Sequence, residues 1–417
     1  MAQLSDNCFA AGGQLMTLAE ALALLDRRIV PVTGVEEVEL RRASRRILAA
    51  DVVAERDVPP HDNSAVDGYA MRFADLADKG ETRLDIVGRA AAGNPVAGVL
   101  RPGQAIRIFT GATMPAGSDT VAMQEDCREA GTSIFVPSGL QRGDNRRLAS
   151  EDIRGGTVVL RRGRRLRPQD IGLTASLGRT TLSVHTRLRV AIFSTGDEVA
   201  EPGAALAPGH VYDANRYVLD SLLQDLGCVV DDLGILPDRP AAVRTALHAA
   251  ATAHDLIITS GGVSAGEEDH VARAVEVMGR LTFWRLAVKP GRPVAFGQIG
   301  TVPFVGLPGN PVAAMVTFLR IARPLILRLS GAKNIAPLLF RVRAGFDHNK
   351  KRNRREWLRA RLAVAADGAL VADKFEREGS GILSSMVDSD GLVELSEELT
   401  QVEAGTMVDF LPFSEVT

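Results

Sequence analysis

The sequence predicts a multidomain α/β plus β protein, and three observations carry that reading. At 417 residues the chain exceeds what one compact core holds, so several domains are expected. From 187 to 330, strand-like apolar runs alternate with helical runs of about a dozen residues. That alternation predicts right-handed crossovers and a parallel sheet covered by helices on both faces, a three-layer α/β domain. On either side of it, short apolar runs broken by Pro and Gly turns predict β modules.

Residues 1–14 read as a loose tail with no basic stretch and no long apolar core, which predicts no secretory leader. TLAEALALLDRR (17–28) has helical apolar spacing, and Thr17 with Glu20 three places on forms a capping-box signature. Between 58 and 145, LDIVG, AIRIFTG and DTVAMQE alternate with turns and predict a mostly β domain. RVAIFSTGDEV is a buried strand running into a Gly-Asp turn. NRYVLDSLLQDLG is a helix with Asn215 as its N-cap and Gly227 as its C′ residue. CVVDDLGIL is a second strand, RPAAVRTALHAAATAH a helix with Pro240 near its first position, and DLIITSGG a third strand. EEDHVARAVEVMG follows as a helix. PFVGLPGN is a strand and turn, and PVAAMVTFLRIARPLILRL a long helix opened by Pro311 and kinked at Pro324. Beyond 335 short β segments return and predict a small β domain.

Composition excludes several classes of function. Hydrophobic residues make up 46% and charged residues 24%, as in ordinary soluble globular proteins. Lys plus Arg (49) nearly balances Asp plus Glu (51), so no overall field draws in nucleic acid or a membrane surface. The basic runs RRGRRLR (161–167) and KKRNRREWLR (350–359) read as solvated strand faces. No stretch reaches the roughly 18 apolar residues of a membrane span. Cys8, Cys127 and Cys228 form no C-x-x-C pair, which predicts neither a disulfide framework nor a structural zinc site and fits a reducing, cytoplasmic compartment.

In an open parallel sheet, ligands bind past the carboxyl ends of the strands. Three predicted strands end in unusual loops, STGDE (194–198), TSGGVSAGEED (259–269) and GLPGNP (306–311), which should gather on one edge. Gly261, Gly262 and Gly266 allow the backbone close to a ligand, and Ser260 and Ser264 add hydroxyl donors, as an anion cradle needs. A plain glycine-rich turn with an acidic first helical turn is the competing reading. Glu267, Glu268 and Asp269 would repel a phosphate unless a cation stood between them. Magnesium supplies that bridge with one or two carboxylates, and Asp197 and Glu198 could complete the site. KPGRPVAFG (289–297) carries Lys289 and Arg292 on a proline-stiffened turn, suited to an oxyanion or simply exposed. PPHDNSAVDGYAMR (59–72) is dense in polar turn formers and reads as a functional loop or a hydrogen-bonded turn; His61, alone there, is no metal ligand.

Taken together, DNSAVDGYA, STGDE, SGGVSAGEED and KPGRP followed by GLPGNP closely resemble the molybdopterin molybdenumtransferase family, the bacterial MoeA proteins and the E domain of gephyrin, from about residue 15 onward. The resemblance implies an enzyme of molybdenum cofactor biosynthesis. It would take adenylylated molybdopterin and molybdate, release AMP with magnesium present, and place molybdenum on the dithiolene. It implies four regions: an elongated linking region (15–57 and 146–186), the mostly β domain (58–145), a molybdopterin-binding α/β domain (187–332) and a β-barrel-like domain (335–417). It further implies a homodimer whose active site is shared between subunits, with a molybdopterin adenylyltransferase as substrate donor.

Carried over by motif, Asp67, Glu198, Asp238 and Asp269 are the catalytic acids, the last three holding metal. Thr110 (in RIFTGA) and Asp152 (in SEDI) match further functional positions. Ser260, Gly261, Gly262 and Ser264 would receive the pterin phosphate. Lys289, Arg292, Arg359, Ser380 and Ser385 would form the molybdate pocket, and Pro308 and Asn310 would bind substrate. The chain departs from the family pattern at Arg292, where lysine is common, and at Ala313, where many relatives carry serine. A non-catalytic molybdopterin-binding scaffold and a tungstate-handling paralogue are the alternatives.

Overall fold

The computed structural model describes residues 15–237, 239–262, 270–291 and 293–417, with the backbone alone at 282–285 and 293. Two compact units divide the chain. One runs through Ala50, takes in Arg162–Arg167 and resumes from Leu182 to Thr417; the other comprises Asp51–Arg161 and Pro168–Thr181.

The second unit is built on a six-stranded sheet in the order Thr120–Met123, Gly68–Met71, Gln104–Ile108, Glu81–Ala90, Ser133–Pro137, Arg128–Ala130. Period-2 alternation sends Tyr69 and Met71 to one core and Ala70 to the other. This unit is mostly β, as its short apolar runs predict.

The first unit opens with α1 (Leu18–Arg28), whose start is the predicted capping box: Glu20 N–H donates to Thr17 Oγ1 at 3.2 Å, and Thr17 N–H donates to Glu20 Oε2 at 2.8 Å. Its sheet contains β1 (Arg189–Thr195), β2 (Val229–Leu236), β3 (Leu256–Ser260), β4 (Gly279–Arg285), β5 (Pro293–Ile299) and β6 (Val302–Leu307), in the order β2-β1-β3-β6-β5-β4. Val190, Ile192, Leu256, Ile258, Val305 and Leu307 face one core, with α1 and with α2 (Asn215–Asp225). Ala191, Phe193, Ile257 and Phe304 face the other, with α3 (Pro240–Ala253) and α4 (His270–Met278). Apolar residues on both faces of each central strand are what a sheet between two helical layers demands.

Three details depart from the sequence expectation. The sheet is mixed: β5 runs antiparallel to β6, with Ala295 opposite Gly306, and β4 antiparallel to β5. Asn215 is the first residue of α2, not its cap; Asp213 Oδ1 accepts from Arg216 N–H at 3.1 Å and does the capping, while Gly227, at φ 88°, is the C′ residue as expected. The long helix is α5 (Pro311–Thr317) and α6 (Arg323–Leu329) joined by a π-helical turn, Phe318–Ala322. The wider turn lies just before Pro324, which has no N–H to continue the ladder.

The C-terminal segment of this unit closes into a five-stranded barrel. β7 (Phe340–Ala344), β8 (Arg355–Val364), β9 (Leu370–Lys374), β10 (Gly391–Leu395) and β11 (Met407–Pro412) pair in the ring β8-β9-β7-β11-β10-β8. Along β8, Leu358 and Ala360 fill the barrel. Trp357 points the other way, into the same core as α5 and α6. The basic run 350–359 is only partly solvated: Lys351 and Arg352 are exposed, but Lys350, Glu356, Trp357 and Arg359 are buried. The sequence reading failed there because it counted charges without seeing their internal partners.

A buried charge cluster ties barrel to sheet. Glu394 on β10 accepts from Trp357 Nε1 at 2.9 Å, pairs with Arg320 of the π turn at 2.9 Å, and pairs with Arg355. Removing one partner of a buried pair leaves an uncompensated charge. Glu394→Met should lower the stability of this unit by about 3–5 kcal/mol. Both tryptophans, Trp284 and Trp357, lie in the unit, so urea unfolding followed by tryptophan fluorescence reads the change directly; an unmoved midpoint would show that the cluster contributes no net stability.

Candidate active site

The registers of the sheet level three strand ends. Ser194 sits opposite Ser260, and Ser260 opposite Leu307, so the STGDE, SGG and LPGN segments leave the sheet side by side. Side chains stitch them together. Asn215 Nδ2 donates to Ser260 Oγ at 2.8 Å and to Gly309 O at 2.7 Å, Ser260 Oγ donates to Pro308 O at 3.0 Å, and Gly261 N–H donates to Leu307 O at 3.0 Å. Gly262 has φ 63°, and a Cβ there would lie 2.3 Å from Thr195 Oγ1, so a side chain is excluded by both backbone conformation and space.

These segments wall a cleft of ≈ 610 Å³ whose lining includes Thr195, Glu198, Asn215, Ser260, Gly261 and Asn310. Glu198 stands on the turn after β1, where Val199 N–H donates to Gly196 O at 3.0 Å. Its carboxylate folds over Gly196, where a Cβ would come within 2.5 Å of Oε2. The two-strand ribbon behind it, Val199–Ala200 paired with Val211–Tyr212, is anchored by the buried Arg216, which donates to Asp213 at 3.0 Å and pairs with Glu201 and Asp232.

A smaller cavity of ≈ 290 Å³ adjoins it, sharing Asn310, and is lined by Lys289, Pro308, Ala313, Arg359, Glu378 and Ser380 among others. The antiparallel run of β5 explains why Lys289 is here: the start of β5 lies beside the end of β6. Arg359 is buried; its Nε donates to Ser385 Oγ at 3.0 Å and its Nη2 to Arg377 O at 2.8 Å. Burial pushes its guanidinium below the ordinary value, with Glu378 working against the shift. Lys289 Nζ donates to Glu378 Oε2 at 3.0 Å and lies 3.8 Å from Glu356 Oε2. Glu356, 1% exposed, also hydrogen-bonds His348 at 3.1 Å and pairs with Arg354. Burial works to raise its carboxyl, but those hydrogen bonds and the charge of Lys289 outweigh it and hold it below the usual carboxylate range.

In the other unit, Asp67 directly precedes the strand Gly68–Met71, whose Gly68 pairs with Ile108, so Asp67 lies close to Thr110, two residues beyond. Asp67 Oδ1 accepts from Thr110 N–H at 2.8 Å and from Thr110 Oγ1 at 2.7 Å. These two hydrogen bonds, the backbone one first, hold its carboxyl below the usual value. The next position must be glycine, since a Cβ on Gly68 would lie 1.9 Å from Ala122 O. Asp152 is exposed, and its N–H donates to Val58 O at 3.0 Å.

Of the residues expected from sequence, Glu198, Ser260, Gly261 and Asn310 line the larger cleft, with Gly262 next in the chain, and Lys289, Pro308, Asn310, Arg359 and Ser380 line the adjoining cavity, with Ser385 buried behind Arg359. Asp67 and Thr110 meet in their own unit. Asp238, Ser264, Asp269 and Arg292 lie outside the described residues. Among the described residues no three His, Cys, Asp or Glu side chains are grouped to hold a metal. Of Glu198, Asp238 and Asp269, only Glu198 is among the described residues. Glu198, Asp238 and Asp269 are all hard oxygen donors, the donor type magnesium takes. Sequence reasoning missed Asn215, Glu356 and Glu378. Asn215 reads from sequence as a helix cap, and the two glutamates lie beside the residues the motifs mark, Glu356 near Arg359 and Glu378 near Ser380.

Family comparisons agree with this geometry. The model of the MoeA N-terminal region (domain I and II) matches residues 16–178, that of a probable molybdopterin binding domain 191–328, and that of the MoeA C-terminal region (domain IV) 341–413. The molybdopterin molybdenumtransferase of Haemophilus influenzae is 39% identical over 407 residues, covering 96% of this chain and 100% of that protein. The one from Nostoc sp. is 35% identical over 382 residues, covering 89% and 87%. The crystal structure of a molybdopterin biosynthesis MoeA protein from Pyrococcus horikoshii OT3 superposes with a TM-score of 0.82 at 29% identity, covering 96% of this chain and 100% of that one. With relatives matched end to end and all three family segments present in order, the chain belongs to the molybdopterin molybdenumtransferase family.

Proposed function

We propose that this protein is the transferase of molybdenum cofactor biosynthesis that inserts molybdenum, delivered as molybdate, into adenylylated molybdopterin and releases AMP. The observation that carries the reading is the pair of adjoining cavities sharing Asn310, one bordered by glycine backbone and small polar side chains, the other by Lys289 and Arg359. The first suits the pterin phosphate, received by Ser260, Gly261 and Gly262, with Ser264 on the same loop. The second suits a tetrahedral oxyanion between Lys289 and Arg359, with Arg292, Pro308, Asn310, Ser380 and Ser385 completing it.

Glu198, Asp238 and Asp269 would hold magnesium, which when bound neutralises phosphate charge. An oxygen of molybdate or of water attacks phosphorus, the bond to AMP breaks, and AMP leaves with the bridging oxygen. No side-chain nucleophile is required. Burial pushes the Cys228 thiol up to about 12, and burial with the neighbouring Asp126 pushes Cys127 up to about 11, so neither is a ready thiolate. Asp67, with Thr110 and Asp152, would act from the partner subunit of a homodimer. A molybdopterin adenylyltransferase would supply the substrate, in the cytoplasm. The four-region division given above belongs to the same reading. No described helix is long and apolar enough to cross a membrane.

Purified protein given adenylylated molybdopterin, molybdate and magnesium should release AMP and yield active cofactor. Substrate binding without AMP release would point instead to a pterin-binding scaffold. Asp269→Asn and Glu198→Gln should each lower turnover roughly 100-fold, the scale of removing one charge-stabilising group, while the melting temperature stays put. Full activity in either variant would remove that residue from the metal set.

Asp67 is held ionised to lower pH by its two donors from Thr110. Thr110→Val removes the hydroxyl and keeps the backbone N–H, so the Asp67 carboxyl should rise part of the way back toward an ordinary aspartate. Carboxyl-carbon NMR titration reads that shift, and the acidic limb of the pH–rate profile should move to higher pH with it; a carboxyl that does not move would leave the backbone bond as the whole cause.

A further inference from the structure

The smaller cavity contains its own anion. Glu378 lines it and receives a hydrogen bond from Lys289 Nζ on Oε2 at 3.0 Å. The same short segment reaches the second cation, because Arg359 Nη2 donates to Arg377 O at 2.8 Å. Residues 377–378 therefore hold both described cations of the pocket, Lys289 through a carboxylate and Arg359 through a carbonyl. An anion entering between Lys289 and Arg359 meets the Glu378 charge at the lysine.

The geometry also provides somewhere for that charge to remain. Glu378 Oε1, the oxygen turned from Lys289, lies 3.4 Å from Lys374 Nζ and 3.7 Å from His348 Nδ1. Lys374 and His348 do not line the smaller cavity. Releasing Lys289 thus leaves Glu378 partnered, and its side chain is 43% exposed, so water completes its solvation. Glu356 offers no such exchange: it is 1% exposed and fixed by His348 and Arg354. Of the two carboxylates beside Lys289, one is fixed and one is free to yield.

We propose that Glu378 is the internal counter-ion of the oxyanion pocket: it neutralises Lys289 while the pocket is free of anion and cedes it, keeping Lys374, when a tetrahedral dianion enters. It thereby sets how tightly an oxyanion is held. This rests on the oxyanion reading of the pocket given above. The Lys289 hydrogen bond, which holds the Glu378 carboxyl below its usual range, is the interaction the incoming anion replaces.

The test is calorimetric titration of the full chain with sodium molybdate, without pterin substrate, so that it reads binding and not turnover. Glu378→Gln keeps the shape and removes the charge, and should tighten molybdate by roughly fivefold, the equivalent of one partly exposed ion pair. In a Lys289→Met background the same substitution should change nothing, since the counter-ion then has no lysine to neutralise. Equal or weaker binding by Glu378→Gln than by the unsubstituted chain overturns the counter-ion role and makes Glu378 a residue that orients Lys289, with the pocket assignment intact. If neither protein takes up molybdate in a way that depends on Lys289, both the counter-ion and the oxyanion pocket are overturned.

Discussion

The Glu394 cluster is the constraint on which the site depends. A carboxylate removed from water needs several partners at once, and Glu394 finds them in two different substructures: Trp357 and Arg355 on the barrel strand β8, and Arg320 on the π turn before α6. Arg320 also lies over the Trp357 ring, 5.9 Å from its centroid. Because Trp357 and Arg359 are two residues apart on one strand, they share a face of it. Fixing Trp357 against the helices therefore fixes where Arg359 emerges, and Ser385 and the Arg377 carbonyl set the last degrees of freedom of its guanidinium. The buried charge network and the apolar packing of Trp357, Leu392 and Leu411 position the barrel, which supplies the cavity with Arg359, Glu378 and Ser380.

The reversal of β5 is the second requirement. In a fully parallel sheet, the segment leading into a strand lies at the opposite edge from the loops that follow strands. Lys289, which precedes β5, would then sit a full strand length away from Asn310. Running antiparallel, β5 starts beside the end of β6, and Lys289 meets the LPGN loop. An antiparallel addition at the border of a parallel sheet is common in large α/β domains. Here it brings a basic turn beside a cleft lined by glycine backbone and small polar side chains.

Much of this was legible in the sequence, and the failures have specific causes. Strands such as VAIF and LIIT read correctly because they are apolar on both faces, which a sheet between two helical layers requires. The capping box at Thr17 and the C′ role of Gly227 are local chemistry and were visible as such. Strand direction is not local, since KPGRPVAFG looks the same whichever way β5 runs. Asn215 misled because a cap and a long-range bridge draw on the same residue type; the cap fell to Asp213, two residues earlier, and released the Asn215 amide to join Ser260 and Gly309. The run KKRNRREWLR was read by its charge count, whereas burial depends on partners that lie dozens of residues away, such as Glu394 and Glu397 for Arg355.

The charge balance of the smaller cavity follows from these placements. Among the described residues, the cations Lys289 and Arg359 line it, and two carboxylates, Glu356 and Glu378, stand beside the lysine. A pocket of bare cations would hold any anion in the cell and would strain the fold around unpaired buried charge. A fully neutralised one would hold none. The structure lies between these limits because its two carboxylates differ in burial: Glu356 is enclosed and keeps Lys289 in place, while Glu378 is open to solvent and has Lys374 within reach. One glutamate gives the lysine its position and the other moderates its charge. That division of labour comes from exposure, since the two residues are chemically identical.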